Sequence, residues 1–530
     1  MHLSIPSYIA TNAKSRALDQ LAMEKFNFSG LVLMENAGNS ILHKALELFP
    51  ELRVPSKKIS VLIGPGNNGG DGWVLSRLFH NLGHKVECYF VVDPGKRPEG
   101  DALWNQKIVK SLNIPILKIQ TELDPLPDLE DTFLLIDALL GTGLHGTLSS
   151  KPILRVLKHV ASLRRHFKVL AVDIPSGLSG DTGVAVAPVI RADLTVALAT
   201  YKIGFFQGEG PKLCGSLALG DIGLSPEVYK ALPCNGRLCD LTLLRNILPK
   251  RPRDGHKGTF GHAALCGGSP GKSGALVLSA LGALRSGCGL VSAIHPESIG
   301  EIIATKLTSS MTISLPESEK HHELEKDSVA YFLSAIQEKN AVALGPGLGL
   351  SSGARDFTRA VVNHVDVPLV LDADALTHLV GHLSLLKKRR HPTVITPHPG
   401  EAGRLLSRDA VDIVDRQACA YELATKTEAT VILKGFYTIT MCPEGDFAIN
   451  PTGDSILSTG GSGDLLTGLV CGLLARRMDE FHAAILAAFV HGRAAEIASV
   501  HLGPYGVSPT EIQPFIPKVW EELRGITTET

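Results

Sequence analysis

From Lys57 onward, short unbroken apolar runs alternate with longer stretches whose apolar residues recur every three or four positions. The runs in "KISVLIG", "HKVECYFVV", "TFLLIDALLG", "KVLAVDIP" and "DLTVALA" are too short and too uniformly apolar for surface helices; they read as strands buried on both faces. "DGWVLSRLFHNLG" has helical spacing. Strands that alternate with covering helices specify a parallel sheet between two helical layers, an α/β class with Rossmann-like three-layer architecture. Upstream, "ATNAKSRALDQLAMEKF" has a helical pattern that packs on the sheet or forms an interface.

The rhythm changes between Leu224 and Gly258, which is richer in proline and basic residues and shows no buried strand, so two domains are expected, 1–225 and 226–530. A second series follows: "HAALCGG", the helical "SGALVLSALGALRSG", "LVSAIHP", "AVALGPG", "PLVLDADAL", "TVITPHPGE", "TVILKG", a hairpin-like pair "TITMCP" and "FAINPT", and the glycine turn "STGGSGD" opening into an apolar helix. This is a second α/β domain.

Composition narrows the function classes. In 530 residues, 44% are hydrophobic and 20% charged, with a formal net charge of −1, so no global field draws the chain to nucleic acid or to a membrane surface. The nine cysteines are scattered with no C-x-x-C pair, which argues for reduced thiols over a zinc site or disulfide framework. No run reaches the ~18 uninterrupted apolar residues of a membrane span, and the N-terminus lacks a signal-peptide pattern. A cytoplasmic protein is the expectation.

In the first domain "IGPGNNGGDGW" joins a strand to a helix. Such a turn either makes a tight connection with Asp71 as cap or brings backbone amides to a phosphate. Asp137 in "LLIDALLGTGLHGT" and Asp173 in "LAVDIPSGLSGD" stand at strand ends, which converge on one crevice in a parallel sheet. With Asn68 and Ser176 they form a set of oxygen donors suited to a hard cation or to proton transfer, unless each acid only caps its turn.

"LMENAG", "NNGGDG", "DALLGTG" and "DIPSG", in this order, resemble the YjeF N-terminal family, the NAD(P)HX epimerases, over roughly residues 1–225. The resemblance implies a substrate of hydrated NADH or NADPH whose R and S forms are interconverted. It places Asn67, Asn68, Gly69, Gly70 and Asp71, and Gly141, Thr142, Gly143, Leu144, His145, Gly146 and Thr147, on the dinucleotide. It also implies that Asp173 lies at the substrate and that Asn68, Asp137 and Ser176 hold a potassium ion.

In the second domain, "GGSPGKSGA" invites a P-loop reading, but only two residues separate Gly268 from Gly271 where four are needed. "GPGLG" is a further glycine turn, and His398 in "TPHPGE" sits in a loop fixed by flanking prolines. Asp464 in "GGSGD" either caps the following helix or removes a proton beside a phosphate. The order of "DADAL", "TPHPGE", "LKG" and "GGSGD" resembles the YjeF C-terminal family, the NAD(P)HX dehydratases of the ribokinase-like superfamily, over roughly residues 235–525. This resemblance implies that Asp464 is the catalytic base. It implies that Lys434, Gly435, Phe436, Tyr437, Thr438 and Gly463 hold the nucleotide, and that Ala275, Gly349 and His398 line the hydrated cofactor with Asp464.

Together the resemblances imply an epimerase feeding the S form to a dehydratase that restores NADH and NADPH. ADP is expected as co-substrate with Mg²⁺, because the fused order is similar to the bacterial and archaeal form. A homo-oligomer is expected, with no nucleic-acid or membrane partner. The rivals are a ribokinase-like vitamin or sugar kinase with an accessory N-terminal domain, and an N-terminal half that only binds.

Overall fold

The computed structural model describes residues 7–525 except 144, 145, 147, 164, 165 and 410–412. The chain divides into two compact units, Met1–Arg237 and Leu238–Thr530, so the boundary lies beyond the expected 225. The cause is local. Gly236–Leu238, in a region where no strand was expected, pairs antiparallel with Tyr8–Ala10 (Tyr8 opposite Arg237), and Val228 and Tyr229 pack with Leu18, Leu33 and Ala37.

The first unit carries a seven-stranded parallel sheet ordered Ile116–Ile119, Lys85–Val91, Lys58–Ile63, Thr132–Ala138, Lys168–Val172, Leu194–Leu198, Ser216–Gly220. Because strand side chains alternate, each strand feeds two cores. Ile59, Val61 and Ile63 join Trp73 and Phe79 on one face, while Leu62 and Leu135 join Ile153, Val156 and Leu157 on the other. Helices therefore cover both faces, as the apolar runs require. The strand order reverses between Lys58–Ile63 and Thr132–Ala138, which opens a crevice at their carboxyl ends.

In the second unit the strands run in the order Met311–Leu315, Leu290–Pro296, His262–Cys266, Ala341–Leu344, Leu369–Leu371, Thr393–Ile395, Thr430–Leu433, Thr438–Met441, Phe447–Asn450. The first seven are parallel, and the expected hairpin supplies the two antiparallel pairings, Thr438–Met441 with Thr430–Leu433 and with Phe447–Asn450. Order reverses between His262–Cys266 and Ala341–Leu344. Helices Ser462–Ala475 and Glu480–Leu502 contribute Leu465, Leu469, Leu486 and Val490 to the core. Glu480–Leu502 is the one helix among the described residues long and apolar enough to cross a membrane, and 72% of its most apolar window is buried within the fold. All nine cysteines are buried and free.

Candidate active sites

In the first unit the glycine turn is the opening of a helix, Asn67–Asn81, whose N-cap is Gly66. Asp71 lies past the first turn and is buried, so it is no cap. Gly69 serves packing as well as any ligand: a Cβ there would stand 1.9 Å from the Gly64 carbonyl oxygen. The amides of Asn67, Asn68 and Gly69 precede the first intrahelical donor, Gly70, which bonds Gly66. They face the open end of the helix, a ready anion site.

Asn68, Asp137 and Ser176 come together around Leu140. Asn68 Nδ2 donates to the Leu140 carbonyl at 3.0 Å, and the Leu140 amide donates to Ser176 Oγ at 2.9 Å. Asp137 is fully buried; its Oδ1 accepts from Ser176 Oγ at 2.6 Å and its Oδ2 from the Ser176 amide at 2.8 Å. Burial pushes its carboxyl above the usual range, with the Ser176 and Leu139 donors opposing. Among the described residues no cationic side chain contributes to that balance. A buried carboxylate among hydroxyl and carbonyl oxygens, with no ammonium beside it, fits a monovalent cation.

Asp173 stands in the left-handed region at φ 62°, its amide bonded to Val196 O at 2.9 Å. Its Oδ1 accepts from the Leu198 amide at 2.9 Å and from Lys202 Nζ, an ammonium that is fully buried and also donates to Thr200 O at 3.0 Å. Two further acids share this field. Burial, then the charges of Asp173 and Asp19, push the Asp71 carboxyl well above the ordinary range. Burial first and Asp173 with it lift Asp19 to about 6, against the opposing pull of Lys202. Sequence reasoning missed Asp19 and Lys202; the signal was a lone lysine in the apolar "ATYKIGFF". Arg16, on the same helix as Asp19 (Asn12–Phe26), donates to the Thr142 carbonyl. Gly141 packs over Asn68, and Gly143 and Gly146 are exposed. Leu144, His145 and Thr147 lie outside the described residues.

The raised Asp19 value carries a stability consequence. Between the ordinary 3.8 and about 6 the unfolded chain releases this proton while the fold retains it, so folding loses stability as pH rises through that window. Asp19→Asn is expected to raise the Tm of the first unit by a few degrees at pH 8 and to leave it unchanged at pH 3.5, read by differential scanning calorimetry.

In the second unit Asp464 lies in the first turn of Ser462–Ala475, whose N-cap is Gly461 at φ 96°; no side chain caps this helix, so the capping reading falls away. Asp464 faces a paired lysine. Lys434 Nζ donates to Asp372 Oδ1 at 2.8 Å and lies 3.9 Å from Glu401 Oε2, while Asp372 Oδ2 accepts from Thr467 Oγ1 at 2.7 Å. Burial would push Asp372 up, but Lys434, Thr467 and Thr396 together hold it below the ordinary range. Burial likewise opposes the charge on Lys434, yet Asp372, Glu401 and Asp464 hold its pKa above ordinary. Asp464 is lifted to about 7, by burial first and then by Asp372, Asp374 and Glu401, with Lys434 opposing. Gly463 lies over the pair: a Cβ there would stand 3.2 Å from Lys434 Nζ.

On one side of Gly463 opens a cavity of about 600 Å³. It is lined by Lys434–Thr438, Gly463, Asn450–Ser455 and His491, among others, so the whole expected nucleotide set borders one space. Elsewhere around the acids are Ala275, Gly349 and His398. Asp374, which contributes to the field on Asp464, accepts from the Gly349 amide at 2.9 Å and from Lys272 Nζ at 3.2 Å. Ala275 packs beside Gly347. His398 is the N-cap of Pro399–Leu406: its Nδ1 accepts from the Gly400 amide at 3.0 Å, and its own amide donates to Glu401 Oε2 at 2.8 Å. Its other ring nitrogen lies 3.6 Å from Glu401 Oε1.

A family model described as NAD(P)H-hydrate dehydratase matches residues 263–518, and one described as YjeF-related protein N-terminus matches residues 30–204. Over 520 residues the chain is 36% identical to the bifunctional NAD(P)H-hydrate repair enzyme Nnr of Moorella thermoacetica, covering 97% of each chain. The chain belongs to the bifunctional NAD(P)H-hydrate repair enzyme family. Within that family it is 30% identical over 511 residues to the Escherichia coli enzyme, covering 96% of this chain and 93% of that one. A Leishmania major relative is 32% identical over 525 residues, covering 94% and 90%. The fused arrangement therefore extends to a eukaryote. The crystal structure of an ADP/ATP-dependent NAD(P)H-hydrate dehydratase from Bacillus subtilis, co-crystallised with ATP and Mg²⁺, is 31% identical and covers 54% of this chain and 98% of its own, with a TM-score of 0.47.

Arg416 belongs to none of the quoted motifs. Arg416 reaches under the Lys434–Tyr437 turn and donates to the carbonyls of Phe436 at 2.6 Å, Tyr437 at 3.1 Å and Leu433 at 3.2 Å. It thereby fixes a turn in which Tyr437 takes a φ of 57°. Arg416→Ala is expected to raise KM for the nucleotide roughly tenfold with kcat within about twofold of wild type, since charge-assisted bonds of this kind are worth about 1.5–3 kcal/mol. Steady-state titration of nucleotide against hydrated NADH reads both constants.

Proposed function

We propose that the first unit interconverts the R and S forms of hydrated NADH and NADPH, and that the second dehydrates the S form with ADP, giving AMP and phosphate. The observation that carries the second step is Asp464: a carboxyl whose pKa is lifted to about 7, near Lys434, in the first turn of Ser462–Ala475 and next in sequence to Gly463, which lines the cavity. The substrate hydroxyl attacks the terminal phosphorus of ADP; an O–P bond forms, the P–O bond to the departing AMP breaks, and Asp464 takes the hydroxyl proton. Lys434 and the first-turn amides of the helix hold the phosphate charge. The C–O bond then breaks with its electron pair leaving on phosphate, the neighbouring ring carbon loses a proton, and dihydronicotinamide is restored. Mg²⁺ would enter on the phosphates of the nucleotide, and no step is assigned to it.

In the first unit the ring hydroxyl departs as water on a proton drawn from solvent, the ring nitrogen stabilises the resulting cation, and water returns to the opposite face, giving a proton to Asp173, which passes it back to solvent. Lys202 holds Asp173 in place for that task through its hydrogen bond to Oδ1. Potassium would be held by Asn68, Asp137 and Ser176, where its charge offsets that of Asp137 near the dinucleotide phosphates. Asp137→Asn is expected to remove any stimulation of epimerisation by KCl over choline chloride at equal ionic strength, as read by chromatographic separation of the two epimers. The dehydration reading is tested by stoichiometry: one phosphate and one AMP appear for each NADH regenerated. Regeneration without phosphate release, or accumulation of a stable phosphorylated product as from a small-molecule kinase, would contradict it.

A further inference from the structure

Two polar side chains on the wall of the 600 Å³ cavity are buried without a partner. His491 on helix Glu480–Leu502 is 7% exposed, and its Nε2 makes no hydrogen bond. Ser462, at the first position of helix Ser462–Ala475, is 6% exposed, and its Oγ is equally unpaired. The neighbouring Asn450 and Thr452 are engaged within the fold. Asn450 Nδ2 donates to Ala488 O at 3.0 Å, and Thr452 Oγ1, at 2.8 Å from Asn450 Oδ1, also donates to Phe489 O at 3.1 Å. Buried polar atoms without partners are uncommon in folded proteins because each forfeits its bonds to water. Two orphans lining one cavity are groups waiting for a ligand.

The cavity is not uniform. Lys434, Gly463 and Ser462 form the end where the helix amides suit phosphate. His491 comes from a different helix, beside Ala488, Gly492 and the Asn450–Thr452 stretch. Burial first, and then the charge of Lys434, hold its imidazole down to about 4, so it is neutral at physiological pH. A neutral imidazole suits a neutral hydrogen-bonding partner better than a phosphate.

We infer that His491 and Ser462 complete the nucleotide site, His491 Nε2 bonding the nucleoside moiety and Ser462 Oγ donating to a phosphate oxygen. This rests on the assignment of the cavity to a nucleotide. His491 is then a specificity-determining residue, separating a nucleoside diphosphate from bare pyrophosphate, while Ser462 does not distinguish the two.

Isothermal titration of the full-length protein with ADP and with inorganic pyrophosphate tests this. His491→Ala is expected to weaken ADP roughly 5- to 30-fold, the range set by loss of one buried hydrogen bond, and to leave pyrophosphate unchanged. His491→Gln, which keeps a polar atom near the Nε2 position, recovers part of the loss. Ser462→Ala weakens both ligands by a similar factor. KM for hydrated NADH stays at the wild-type value in each variant, and the Tm without ligand serves as the control for folding. ADP affinity unaltered in His491→Ala, or equal loss of ADP and pyrophosphate, would overturn the role of His491; unaltered pyrophosphate affinity in Ser462→Ala would overturn that of Ser462. Wild-type protein that binds neither ADP nor ATP would overturn the nucleotide assignment itself.

Discussion

Asp464→Asn is expected to lower the rate of dehydration by roughly 10²–10⁴, the range typical for loss of a positioned general base, while ADP affinity stays within about threefold of wild type. Rate and affinity separate because the cavity proposed for the nucleotide is bordered by Lys434–Thr438 and Gly463 and not by Asp464. The amide is nearly isosteric and relieves the repulsion from Asp372, Asp374 and Glu401 that helps lift this carboxyl to about 7. Stability should therefore rise slightly, which separates a catalytic loss from a folding one. The wild-type pH profile carries the same signature. A base must be ionised, so kcat/KM for dehydration should fall about tenfold per pH unit below pH 7 and level off above it. In Asp464→Asn that limb disappears. A variant that dehydrates at the wild-type rate would remove Asp464 from the chemistry.

The second large effect is expected at Asp173. Asp173→Asn should lower epimerisation by at least about a hundredfold and leave dehydration of the purified S form intact, because the residue lies wholly within the first unit. Asparagine is the informative replacement for two reasons. It tolerates the left-handed backbone found here, φ 62°. It also keeps an oxygen for Leu198 N and Lys202 Nζ, where Asp173→Ala leaves a fully buried ammonium without its carboxylate, a change worth about 3–5 kcal/mol. The measurement is the rate at which pure R hydrate becomes S, followed by chromatography without nucleotide. Epimerisation at the wild-type rate would contradict the proton-handling role.

The α/β class of both halves was legible because fully buried strands are written as unbroken apolar runs and helices as periodic ones. Asp137 and Asp173 were legible for a related reason, since a polar residue at the end of such a run falls at the carboxyl edge of the sheet, and the "GGSGD" turn was legible as glycines that open straight into an apolar helix. The structure brings Asn68, Asp137 and Ser176 around Leu140, as that rule implies. What stayed hidden depends on contacts distant in sequence. Tyr8–Ala10 and Gly236–Leu238 are each three residues long and acquire meaning only by pairing, which is why the boundary was placed too early. Lys202 sits within an apolar run and Asp19 on a helix facing it; neither belongs to a glycine motif. Arg416 lies eighteen residues before the turn whose carbonyls it holds. His491 is one polar side chain in a helix that is otherwise core, and only the cavity beside it distinguishes it from a packing residue.

The central claim is that one chain carries both repair steps. It is tested most directly by incubating the full-length protein with an equal mixture of R and S hydrated NADH and excess ADP, while following absorbance of the reduced nicotinamide. Complete recovery is predicted, falling to half with Asp173→Asn and to none with Asp464→Asn. Recovery that stops at half with the wild-type chain would show that the first unit does not epimerise, and no recovery with ADP or ATP would contradict the account as a whole.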